Sequence, residues 1–125
     1  MSVYGLTTTF ILGNYGSVSH LIVYSDSLYL DRTETINWGT LIPDTVENRT
    51  VYVENVGDKA LTLNLTATNW VPSNATDYLS FTWTGDSVID GYAKRPYILY
   101  LTVHANVTES SIGDFSFDII VDGTW

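Results

Sequence analysis

The chain has 125 residues, no cysteine, and a formal net charge of −9 from fourteen acidic and five basic side chains. That length supports one domain with one hydrophobic core, and an apolar fraction of 45% is too high for a disordered chain. Such acidity disfavours phosphate backbones and anionic membrane surfaces, the lack of cysteine removes thiol chemistry and Cys-based metal sites, and no apolar run reaches the roughly 18 residues of a membrane-spanning helix.

Residues 1–19 read as an extended arm, interrupted by Gly5, Gly13 and Gly16. Between these glycines lies Leu6-Thr7-Thr8-Thr9-Phe10-Ile11-Leu12, β-prone and without proline or charge. The first charged side chain is Asp26. The start of the chain lacks the basic segment and long apolar run of a secretory leader, so export would depend on a leader outside this sequence. From residue 20 the chain reads as short strands divided by turn signals, the pattern of a β-sandwich. Leu21–Tyr24 is one strand, and Thr35–Trp38, closed by Gly39, is another. Pro43-Asp44 marks a turn. Residues 49–54 alternate, with Val51 and Val53 on one face, and Asn55-Val56-Gly57-Asp58 reads as a hairpin-like connection. Leu61, Leu63 and Leu65 alternate with Thr62, Asn64 and Thr66, the cleanest period of two in the chain. Residues 69–77 read as a loop. Leu79, Phe81 and Trp83 share a face of the next strand, residues 85–95 form a charged connection, and 97–104, apolar on both faces, read as a central strand. Phe115, Phe117, Ile119 and Val121 line one face of the last strand. Scarce alanine and no sustained 3.6-residue period leave little room for helices.

The segments Trp38-Gly39-Thr40-Leu41-Ile42-Pro43-Asp44, Thr50-Val51-Tyr52-Val53-Glu54-Asn55-Val56-Gly57-Asp58 and Leu61-Thr62-Leu63 resemble the Hydin-type immunoglobulin-like domains. Asp44 stands where the glycine of that pattern's Pro-Gly turn would be. Asn69-Trp70-Val71-Pro72-Ser73-Asn74-Ala75 and Phe115-Ser116-Phe117-Asp118-Ile119 are similar to small secreted proteins of archaea. The resemblance covers about residues 20–122 and implies an all-β, immunoglobulin-like β-sandwich of seven to eight strands preceded by the arm. The domain boundaries are then 1–19 for the arm and 20–125 for the sandwich.

Four Asn-x-Thr sequons, at Asn48, Asn64, Asn74 and Asn106, are potential N-glycosylation sites and point to a secreted, cell-surface glycoprotein. His20 and His104 lack metal-ligand spacing. No nucleophile or phosphate-loop motif occurs, so an enzyme, a cofactor and a bound metal are not expected. The aspartates in 26–31 and 86–90 fit no EF-hand spacing. Trp38 and Trp83 read as core residues, whereas Trp70 and Trp125 read as exposed and available for stacking on a sugar.

The arm is the most informative feature. An uncharged β-prone strand left in water is an aggregation hazard and must find a sheet edge. One destination is its own sandwich, as an extra strand. The other is a neighbouring copy, where Leu6, Thr8, Phe10 and Leu12 would form one face of a donor strand, with Ile11 opposite and Gly13 to Gly16 as the hinge. Head-to-tail insertion of this kind does not close and generates a filament. The sequence therefore raises two expectations: a structural subunit of an extracellular archaeal filament, a pilus or thread whose partner is itself, or a monomeric surface module for adhesion or carbohydrate binding. Neither involves nucleic acid or membrane insertion.

Overall fold

A computed structural model describes residues 3–12, 21–28, 30, 35–105 and 115–124, with the backbone alone at 3–12, 35, 37, 40 and 124. The strands are β1 (Val3–Leu12), β2 (Leu21–Tyr24), β3 (Thr35–Asn37), β4 (Thr40–Leu41), β5 (Thr45–Asn55), β6 (Leu61–Val71), β7 (Leu79–Thr84), β8 (Val88–Ile89), β9 (Lys94–Val103) and β10 (Phe115–Thr124). A short 3-10 helix, Ser73–Asp77, follows β6. One sheet has the order β3-β1-β10-β6-β8, with β4 also pairing β1, and the other has the order β2-β5-β9-β7. The chain is thus an all-β sandwich. β4 and β8, two residues each, are too short for any alternation to reveal, and they take the strand count above the seven or eight expected.

The alternating strands build the core. Val51 and Val53 of β5, Leu61, Leu63 and Leu65 of β6, Tyr97, Leu99, Leu101 and Val103 of β9, and Phe115, Phe117, Ile119 and Val121 of β10 are all buried. The two sheets interdigitate through these faces, as inward-facing alternate residues must. The longest ladder joins β5 to β9, from Thr45 opposite Val103 to Glu54 opposite Lys94, and it places β9 inside its sheet, where its two apolar faces predicted it.

Three local features depart from the sequence reading. Residues 55–58 do not close a hairpin, because β5 and β6 lie in different sheets and the segment carries the chain across the sandwich. Asn55 holds this crossing. It is fully buried, its Nδ2 donates to the carbonyls of Lys59 (2.7 Å), Ile89 (3.2 Å) and Asp90 (3.2 Å), and its Oδ1 accepts from the Gly57 amide (3.0 Å). Secondly, β6 runs on to Val71, into the expected loop, through a bulge opposite β10 where Asn69 adopts a positive φ of 55°. Asn tolerates that conformation better than most residues, and its Nδ2 donates to Asp118 Oδ2 at 2.9 Å. Thirdly, the bulge re-aims Trp70. Expected at the surface, it packs on the core and stacks on Phe117 with ring centroids 4.2 Å apart. Asp44, with φ 63°, takes up the positive-φ conformation that glycine adopts readily.

The sandwich has two poles. At one, Leu21 pairs with Asn55, and a Cβ on Gly123 would lie 3.0 Å from Leu21 Cδ1 and 3.1 Å from Leu61 Cδ1. This is the proximal pole, where the body begins after residues 13–20. The distal pole carries the Pro43-Asp44 turn, the 3-10 helix and the start of β10, and Asp44 N to Val103 O (3.0 Å) and His104 N to Tyr78 O (2.9 Å) tie the turn and the end of the helix to the end of β9.

Candidate functional site

The segment read as an arm forms β1, which lies in the interior of a sheet. On one side it runs parallel to β10, with Thr8 opposite Phe117, Phe10 opposite Ile119 and Leu12 opposite Val121. On the other it runs antiparallel to β3, over Thr7–Thr9, and to β4, over Val3–Tyr4. Directly opposed residues of neighbouring strands share a face. Thr8, Phe10 and Leu12 therefore occupy register positions level with the buried Phe117, Ile119 and Val121, and Ile11, opposite Ile120, falls in the alternate set. Leu6 lies where the β1 register shifts, between Gly5 and Thr8. The site is thus a slot one strand wide, bounded by β3 and β4 on one side and by β10 on the other. Whatever strand fills it satisfies the backbone groups of both walls.

The link between β1 and the body is long for its task. Leu12 reaches β10 two residues before Gly123, against which Leu21 packs. Leu12 and Leu21, which flank residues 13–20, therefore both lie at the proximal pole, a separation far fewer residues would span. The expected hinge residues Gly13 and Gly16 fall outside the described residues.

The other predicted positions are dispersed. Asn48, Asn64 and Asn74 are exposed, each with its sequon threonine, Thr50, Thr66 or Thr76, exposed as well. Asn48 stands on one sheet and Asn64 on the other. Asn106, His20, Asp31 and Trp125 lie outside the described residues. Trp38 is buried and Trp83 half-buried. Among the described residues no group of three or more His, Asp or Glu side chains converges as metal ligands. Asp86 pairs with Arg95 at 3.5 Å, and the Asp26 carboxylate accepts from the Leu30 amide at 3.0 Å.

Two features escaped the sequence reading. Ser80 and His104 meet across neighbouring strands, with Ser80 Oγ 2.9 Å from His104 Nε2, while Nδ1 lies 3.2 Å from the Asp77 carbonyl. A carbonyl only accepts, so in the neutral ring Nδ1 carries the hydrogen and Nε2 accepts from Ser80. The pair fastens β7 and β9 to the 3-10 helix at the distal pole. The second feature is Tyr92, 70% exposed at the proximal pole with φ 61°. Register and cross-sheet packing determine both, and neither has a spacing signature in the sequence. Comparison with protein-family models, with characterised proteins and with solved structures found no match to this chain.

Proposed function

We propose that this chain is the subunit of a secreted, cell-surface filament of archaeal type, with an immunoglobulin-like body, in which each copy's first strand fills the slot of the next. The observation that carries this reading is the interior position of β1: a strand that is continuous with the body only through residues 13–20 completes a sheet from between β10 and the β3–β4 wall. A slot of this form takes the strand from its own chain or from another copy, because either one satisfies the backbone groups of both walls. The length of the link relative to the separation of Leu12 and Leu21 and the absence of a charged side chain before Asp26 both favour transfer, since withdrawing the strand carries no ionised side chain across the core. The exposed sequons are compatible with glycans on the filament surface.

Deletion of residues 1–13 tests the reading. Filaments should be lost, and a synthetic peptide of residues 1–13 should bind the truncated body and restore its thermal transition. Filaments that persist without the strand would refute the proposal. The pairing of β1 with its own body supports a second reading, a monomeric surface module for adhesion or sugar binding. A single monomer peak with fully protected β1 amides would select that one.

A further inference from the structure

Resting on the exchange reading above, we infer that the strand enters a neighbouring copy's slot in the opposite sense, antiparallel to β10, and thereby joins the proximal pole of one copy to the distal pole of the next. Within one chain the sense is dictated by the link: β1 ends beside Val121, next to the proximal pole where Leu21 begins the body, so it must run parallel to β10. A strand donated by another copy in that same sense would leave the slot at the acceptor's proximal pole and then have to reach the donor's own proximal pole.

In a head-to-tail stack those two poles are one body length apart. β5 alone, with eleven residues, is roughly 36 Å long, and the loops at both poles add to it. Leu12 and Leu21 are nine Cα steps apart, at most about 32 Å of fully extended chain. The link falls short. Reversed in the slot, the strand leaves at the distal pole and meets the proximal pole of the copy stacked upon it, a distance the link covers with slack.

The ladders do not oppose reversal. Six paired positions along β10, from Gly5 to Leu12, change from parallel to antiparallel, while the three over Thr7–Thr9 and the two over Val3–Tyr4 change the other way. Antiparallel pairing is only slightly more stable per residue, so the two changes nearly offset each other. The poles also carry exposed apolar side chains suited to meeting each other: Val56, Val88 and Tyr92 proximally, Ile42, Val46 and Val71 distally. Same-sense exchange would instead bring proximal poles together, the arrangement of a closed two-fold dimer.

The cysteine-free chain permits a direct test. Ile11→Cys is combined in separate variants with Ser116→Cys, Asp118→Cys or Ile120→Cys, positions on one face of β10, and assembled protein is oxidised and run denatured without reductant. Centring the reversed strand with Phe10 opposite Phe117 places Ile11 opposite Ser116, so the Ser116→Cys variant should give a covalent ladder and the Ile120→Cys variant should not. A ladder confined to the Ile120→Cys variant overturns the reversal and leaves the filament reading intact. Monomers closed internally between positions 11 and 120, with no filaments, overturn both. Filaments without a cross-link at any of the three positions overturn the reversal and place the strand outside the slot.

Discussion

Gly91 and Tyr92 show one backbone requirement overriding another. In the turn closed by Ala93 N to Asp90 O (3.0 Å), the residue with positive φ is Tyr92, not the glycine beside it. The reason is space: a Cβ on Gly91 would stand 2.4 Å from the Asp58 carbonyl oxygen, so the glycine is needed for close approach and the left-handed conformation falls to tyrosine. That conformation costs a side-chain-bearing residue about 1 kcal/mol or more. Adjacent substitutions should therefore act in opposite directions. Gly91→Ala should lower Tm by about 6 °C or more, and Tyr92→Gly should raise it by about 2–4 °C, both read from thermal unfolding. Asn55 makes a second residue-scale case. An ionised carboxylate in its place could not donate to the three carbonyls that Asn55 now serves, so the Asn55→Asp variant should fold with its new carboxyl protonated and its folded-state pKa raised. Its stability relative to the parent is then best below the ordinary carboxylate range and is lost as pH rises through the raised value, by about 1.4 kcal/mol per unit of pKa difference. Urea midpoints of both proteins at pH 4.5 and 7.5 check this; a deficit of equal size at the two pH values would contradict it.

Among the elements, β10 holds the sandwich together. Phe117 lies among four rings: Trp70 at 4.2 Å, Phe81 at 5.9 Å, and Trp38 and Phe115 at 6.3 Å. Its strand also forms one wall of the slot, so core and site share a scaffold. Replacing Phe117 with alanine should cost about 3–5 kcal/mol and expose Trp70, seen as a red shift in tryptophan emission. Phe117→Leu should cost less than half as much. The β5 strand illustrates edge protection. Over residues 45–50 it pairs with β9 alone among the described residues, and Arg49 stands on this edge, its guanidinium 5.3 Å from the Trp38 ring centroid and its Nη2 donating to the Trp38 carbonyl at 3.1 Å. A charge at that place discourages unwanted strand pairing along an otherwise open edge.

For the whole molecule, charge would act against the proposed strand exchange. Each copy carries a net charge of −9, with no charged side chain before Asp26, so in the proposed filament the bodies would repel while the donated strand would not. Salt shortens the reach of that repulsion. Assembly followed by light scattering should therefore be several-fold faster in 500 mM than in 20 mM sodium chloride. Assembly that slows with salt would mean that attraction between charged surfaces, not strand exchange, drives association.

Much of this architecture is legible in the sequence, because alternation is a local property. Leu61, Leu63 and Leu65, or Phe115 to Val121, announce a buried face wherever the strand finally sits, and the uncharged segment 6–12 announces a strand in need of a sheet. The same locality left β4 and β8 invisible and put Trp70 on the surface, since a bulge at Asn69 exists only against the register of β10. It also read residues 55–58 as a hairpin, because which sheet a strand joins depends on partners distant in the chain. The sequence by itself determined that there would be strands, which faces they would bury, and that the first would need a partner. The tertiary structure alone decided that this partner is an interior slot between β10 and the β3–β4 wall, because a slot is made by strands that meet only after the chain has folded.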